Sequence, residues 1–311
     1  MAVSAPVESI PEASAPKLPQ NKFPNFATCP IAEIQVAVPE LAHLKAEEDQ
    51  SQLTALLDKI GAKTVEMVGK TPNLVSHEVV VSEQNGSSTR ANYSFLILQH
   101  PMGKDRVFDE YRVDAATGEK LQTDFIENDQ ASKSAGESAS VPNQIPVPKI
   151  LPETKPTVLT SQGFVSSWLY FHPSNRRELE YRYLGQEKLD GRQTLVVAFA
   201  QKPGSVELPA VFDYNQQTYR VFMQGVAWID PAEFRILRLQ SDLLSVPAAL
   251  PLYRLSVEIQ FGKISPVGVA SPLWLPTQAV VTTNLIGSAA RERHTYSNYR
   301  LFKAQSRIAF K

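Results

Sequence analysis

The sequence predicts an α+β fold, mostly β, in which a long antiparallel sheet curves over one N-terminal helix. Three observations predict it. Apolar residues recur at every second position over much of residues 76–302. Only the stretch around residues 51–68 carries the 3.6-residue period of an amphipathic helix. Turn-forming pairs such as Asn85-Gly86 and Asp190-Gly191 punctuate the alternating stretches.

The bulk numbers bound the problem before any element is placed. A chain of 311 residues suffices for one large β domain or two small ones, and 43% apolar content can supply a sizeable core. The 31 basic and 32 acidic residues nearly cancel. A nucleic-acid partner is therefore not expected, because its binder needs an excess of Lys and Arg against phosphate. The single cysteine, Cys29, excludes an intramolecular disulfide and a cysteine-cluster zinc site. It reads as a solitary thiol in a flexible segment. Apolar runs such as 195–200 fall far short of the about 20 residues that span a bilayer, so no transmembrane segment is expected. Residues 1–20 lack a basic start followed by an apolar stretch, so no signal peptide is visible. A cytoplasmic protein and a processed exported one both fit.

Residues 1–40 are rich in Pro, Ala and Ser, and seven prolines from Pro6 to Pro39 block regular pairing. They read as a disordered tail ahead of a β-rich domain at 41–311. Leu53, Leu56, Leu57 and Ile60 then share one helical face. Ser51 is the expected N-cap, Val65 and Val68 extend the stripe, and Thr71-Pro72 stops the helix.

From residue 76 the period is two. Val79 and Val81 mark a first strand, and Ala91, Tyr93, Phe95 and Ile97 a second. Asn85-Gly86 joins them as a hairpin, since both residues tolerate positive φ. Val107, Tyr111 and Val113 mark a third strand. Residues 127–157 form a polar, then Pro-rich, flexible insertion or linker. It either divides two domains or interrupts one sheet, and the single sheet is preferred.

Residues 161–172 fit a short helix or a strand equally. Leu179, Tyr181 and Tyr183 alternate with charged residues, and Asp190-Gly191 turns the chain into the apolar run 194–200. That run is apolar on both parities, so it is buried on both faces or lines a hollow on one. A strand follows near 218–229. Asp230-Pro231 turns it towards Phe234 and Ile236, and Asp242 is placed to cap or to pair with Arg238. Tyr253, Leu255, Val257, Ile259 and Phe261 alternate cleanly with polar residues. Strands near 274–284 and 291–302 close the pattern. Such a meander twists and curls, and the helix is there to cover its apolar side.

No motif assembles a catalytic centre. The five histidines lack metal-pair spacing and read as surface or core residues. Gly-x-Ser-x-Gly and phosphate-binding loops are absent. The expectation is a noncatalytic protein without a cofactor. The aromatic residues fit either an ordinary sheet core or an apolar hollow that accepts a greasy ligand. Tyr183, Val197, Phe199, Trp228, Ile236, Val257, Ile259 and Trp274 are the residues expected to line the concave face as ligand-binding positions.

Several motifs together resemble the periplasmic lipoprotein-sorting carrier superfamily. They are the stretch from Tyr181 through Gly191-Arg192, the strand Thr194–Ala200, Gly225-Val226-Ala227-Trp228-Ile229-Asp230-Pro231, Phe234–Leu239, Trp274-Leu275-Pro276 and His294–Phe302. The similarity covers mainly residues 178–302. It implies an unclosed β half-barrel wrapped over helices, an apolar concavity for a lipid or lipoprotein acyl chain, and a periplasmic or otherwise exported location. The alternative is a protein–protein interaction module with a packed core, a tethering tail and an envelope protein as partner.

Overall fold

Alternation and turn chemistry build one antiparallel sheet in the computed structural model, which describes residues 20–102, 105–116, 163–206, 210–215 and 217–303. The insertion expected at 127–157 and the tail before residue 20 lie outside the described residues. The strands are β1 (Gln20–Lys22), β2 (Leu74–Gln84), β3 (Ser87–Met102), β4 (Asp105–Asp114), β5 (Leu179–Leu189), β6 (Arg192–Gln201), β7 (Ala210–Tyr214), β8 (Gln217–Ile229), β9 (Ile236–Pro247), β10 (Leu252–Ile264), β11 (Leu273–Leu285) and β12 (Ser288–Leu301). Helices α1 (Ile31–Ala37) and α2 (Leu53–Lys70) accompany them. Three short 3-10 segments lie at Pro39–Leu41, Ser166–Phe171 and Pro173–Glu178.

The sheet runs β4-β3-β2-β12-β11-β10-β9-β8-β6-β5, with β1 on β9 and β7 on β8. It does not close into a barrel, so the mostly-β, unclosed half-barrel fold is the one found. Asn85 and Gly86 take φ of 48° and 83° at the β2–β3 turn, as the hairpin reading requires. Asp190 and Gly191 do the same between β5 and β6. No helix among the described residues is long and apolar enough to cross a membrane.

Helix α2 lies on the inner, concave face. Its buried stripe of Leu56, Leu57, Ile60, Met67 and Val68 follows the sequence period. The helix ends at Lys70, and Thr71 caps it through its hydroxyl on the Met67 carbonyl at 2.8 Å. Ser51 is not the N-cap. That position falls to Gln52, and Ser51 instead bonds Asp49 in the preceding turn at 2.8 Å. Gly61 lets the Pro173–Glu178 segment approach, since a Cβ there would sit 3.0 Å from Pro173 Cγ.

The outer face supplies a correction. Residues 20–40, expected within the tail, are folded. Phe26, Ile34, Val38 and Leu41 are buried and form a second core with Leu184, Val196, Ala198, Val226 and Trp228. The prolines permit this because they stand where no donor is needed: Pro30 is the N-cap of α1, and Pro39 opens a 3-10 turn. Cys29 is accordingly half-buried in an ordered segment, and burial pushes its thiol pKa up. The run 194–200 is thus buried on both faces, the first of the two readings its pattern allowed.

Two local expectations also differ. Tyr253 leaves the clean alternation of β10 because of a bulge between Leu252 and Arg254, and it is exposed. Arg238 does not pair with Asp242. It reaches Glu40 at 2.7 Å and Glu258 at 2.8 Å, while Asp242, four residues further along β9, accepts from the Gln240 amide at 3.0 Å.

Candidate ligand-binding face

The register places one set of side chains on the inner face. Tyr183 stands opposite Val197, Val197 opposite Ala227, Ala227 opposite Leu239, and Leu239 opposite Ile259. Cross-strand partners share a face, so these residues form a continuous apolar row over five strands.

That row is covered from within. Phe164, Val165, Trp168 and Phe171, from the segment Gly163–Phe171, are buried against it beside α2. The ring of Tyr170 stacks on Phe199 at 4.7 Å between centroids, and Phe171 meets Phe199 edge-on at 5.7 Å. Trp168 packs between Phe108 and Phe261. Within 161–172, which the sequence left between helix and strand, residues 163–171 therefore form a plug whose 3-10 segment is Ser166–Phe171. The plug and α2 pack directly on this row. Two surface hollows lie elsewhere, around Arg300.

Of the sequence-derived positions, Tyr183, Val197, Phe199, Ile236 and Ile259 are buried together in this inner core, and Val257 and Trp274 pack half-buried against it. Trp274 is fixed by its indole N–H on the Ile236 carbonyl at 2.7 Å. Trp228 is not on the concave face. It lies opposite Val196 on the outer face, buried under the N-terminal segment, with the Arg238 guanidinium 4.8 Å above its ring. Adjacent Ala227 takes the inner position. Both neighbours are apolar, so parity alone did not choose between them.

Charged residues on the inner face hold the plug, and sequence reading missed them. Glu110, fully buried on β4, accepts backbone N–H bonds from Gly163, Phe164 and Val165 at 2.9, 3.1 and 2.7 Å. Burial raises its pKa, while Arg112 and these three donors oppose that rise. Two residues on, Arg112 forms a two-pronged pair with Glu78. Burial works against the Glu78 charge, but Arg112 and His294 overcome it and hold the carboxyl at about 2. His294 reaches Glu78 through Nδ1 at 2.9 Å and meets the Phe164 ring edge-on at 5.0 Å. Its burial disfavours charge, and Glu292 and Glu78 outweigh it to raise its pKa. The detectable signal was polar: Glu78 shares its parity with Leu74 and Val80, and Glu110 and Arg112 share theirs with Phe108.

This is an anchoring network. No group of three or more His, Cys, Asp or Glu residues suited to a metal ion occurs among the described residues.

No described protein family matches the chain, and no curated protein matches it. Among solved structures it is similar to a DUF1329 family protein from Desulfovibrio piger, at 15% identity and a TM-score of 0.40, over 81% of this chain and 94% of that one. It is similar to a putative outer membrane lipoprotein-sorting protein domain from Vibrio parahaemolyticus, at 11% and 0.39, over 80% and 93%. A LolA superfamily protein from Nitrosomonas europaea follows at 10% and 0.36, over 80% and 94%. At these identities and scores the likeness assigns neither ligand nor activity.

Proposed function

We propose that this is a noncatalytic binding protein of the bacterial envelope, whose concave face takes an acyl chain or a comparable apolar ligand when residues 163–171 move aside. One observation carries the reading. A five-strand apolar row is covered by a short aromatic 3-10 segment, whose start is held through one buried carboxylate, Glu110. The fit of that segment is imperfect. The Trp168 indole N–H is buried without an acceptor among the described residues, a cost of about 1–3 kcal/mol. A ligand that replaces the plug's apolar contacts removes this cost. Each buried methylene contributes about 0.8 kcal/mol, so a medium-length chain can compete with the plug. The envelope location rests on the resemblance of residues 178–302.

The test is titration with a palmitoylated peptide by calorimetry, in wild type and Glu110→Gln. Charge-assisted bonds are worth about 1.5–3 kcal/mol each, so the variant binds about ten-fold or more tighter. Equal affinity in the two proteins argues against displacement, and no binding to either removes the reading.

The filled inner face favours a second reading, an interaction module with a packed core and no small-molecule ligand. A hydrophobic dye and the palmitoylated peptide should then both leave the folded protein unlabelled.

A further inference from the structure

The outer face carries a second feature, independent of the plug. At the β4–β3–β2–β12 end the register aligns Tyr111 opposite Leu96, Leu96 opposite Val75, and Val75 opposite Arg300. These positions point away from the inner face, since their neighbours Arg112, Phe95 and Leu74 point into it. An apolar row thus crosses three strands and ends at a guanidinium.

The row lies along a hollow of about 430 Å³ lined by Val75, Leu96, Val113, Leu301, Arg300 and Lys303. It adjoins a second of about 320 Å³, which shares Ser94 and Arg300 and adds His77. The row spans three interstrand spacings, about 14 Å.

Local backbone makes the head of this trough. A bulge between Ser297 and Arg300, with Asn298 at a φ of 55°, turns Arg300 onto the outer face. Three backbone bonds then fix the strand end: Val267 N–H to the Tyr299 carbonyl, Leu301 N–H to the Val267 carbonyl, and Phe302 N–H to the Asn73 carbonyl, each at 2.9 Å.

Charge names the occupant. Arg300 and Lys303 are exposed and enter no ion pair among the described residues. Arg90, Arg291 and Arg293 are exposed on the same face but lie level with Val81 and Glu83, about 20 Å or more along β2 from Val75, so the head of the trough rests on Arg300 and Lys303. The chain as a whole carries a net charge of −1, so this positive field is local and focused. An apolar trough with cations at one end matches a chain with a negative head.

We infer that the outer trough of β4, β3 and β2 binds a fatty-acid anion, with its carboxylate at Arg300 and Lys303 and its chain over Val75, Leu96 and Val113. It is a site distinct from the concave face.

Sodium dodecanoate, titrated calorimetrically into the full chain below its micelle concentration, tests this. Wild type and Glu110→Gln each bind one equivalent at the outer trough, whether or not the concave face takes a second. Arg300→Ala combined with Lys303→Ala weakens binding at least ten-fold, and Leu96→Glu abolishes it. Dodecyltrimethylammonium, with the same chain and the opposite head, does not bind. Thermal melts show which variants fold, and Leu96→Thr reads the same position if Leu96→Glu does not. Equal binding of the cationic amphiphile, or unchanged affinity in both Leu96 variants, overturns the inference. So does the absence of heat from dodecanoate, the result expected if residues 304–311 or a second copy already fill the trough. Glu110→Gln lies on the opposite face and leaves dodecanoate affinity at this site unchanged, so failure of the plug reading is read separately.

Discussion

Arg112 and Glu78 meet as a two-pronged ion pair inside the fold, with contacts of 2.6 and 2.8 Å and side chains only 2% and 0% exposed. They come from β4 and β2, with β3 between them. The pair therefore ties an edge strand to its second neighbour, and it carries the aromatic plug above it, since the guanidinium lies 5.6 Å from the Phe164 ring.

Removing one partner strands the other charge in the core. Glu78→Gln is expected to cost about 3–5 kcal/mol in a urea denaturation. Replacing both residues by apolar ones of similar volume, Glu78→Leu with Arg112→Met, should cost less than either single change. A double variant as unstable as the sum of the two would contradict the pairing.

The charged network sets a pH profile. Glu78 is held low, so its contribution is full above about 4.5 and declines as pH falls towards about 2. His294 is raised above 6.5, so its contribution is full below that value and is lost as pH rises through the folded pKa. Glu110, also raised, loses its contribution on the alkaline side of 4.5. The thermal midpoint should therefore peak in the mildly acidic range. His294→Gln should flatten the decline above 6.5, and an unaltered profile would count against the assignment.

Two glycines should differ sharply. A Cβ on Gly225 would lie 2.0 Å from the Gln240 carbonyl oxygen and 2.7 Å from the Phe199 ring, so Gly225→Ala is expected not to fold. A Cβ on Gly262 would meet only the Thr277 Cγ2 methyl at 2.9 Å. That side chain can yield, so Gly262→Ala should fold with a loss of about 1–3 kcal/mol. Circular dichroism of the two purified variants checks the ordering.

The N-terminal segment should behave as core. Leu41 is fully buried under the outer face, so Leu41→Ala should cost about 2–5 kcal/mol. A cost near zero would return residues 20–44 to the status of a tail.

Much of this fold was legible because strand and turn signals are local. The two positive-φ residues of the β2–β3 turn, the stripe on α2 and the alternation of Leu255, Val257 and Ile259 each report their own structure. What was hidden is tertiary. Proline counts marked residues 20–40 as a tail, because composition cannot reveal that Ile34 and Leu41 meet an apolar outer face more than 140 residues away in sequence. Neighbours Ala227 and Trp228 are both apolar, so only strand pairing decides which points inward. The partners of the anchor Glu110 are the backbone N–H groups of Gly163, Phe164 and Val165, which no side-chain pattern identifies.

Displacement of the aromatic plug is read most directly by Trp168 fluorescence. Trp228→Phe and Trp274→Phe together leave Trp168, fully buried in the plug, as the sole indole. Titrating that protein with the palmitoylated peptide should shift its emission to longer wavelength in a saturable manner, because the ring leaves the core. Emission that stays fixed while calorimetry records binding would mean that the ligand sits elsewhere and that residues 163–171 are permanent core.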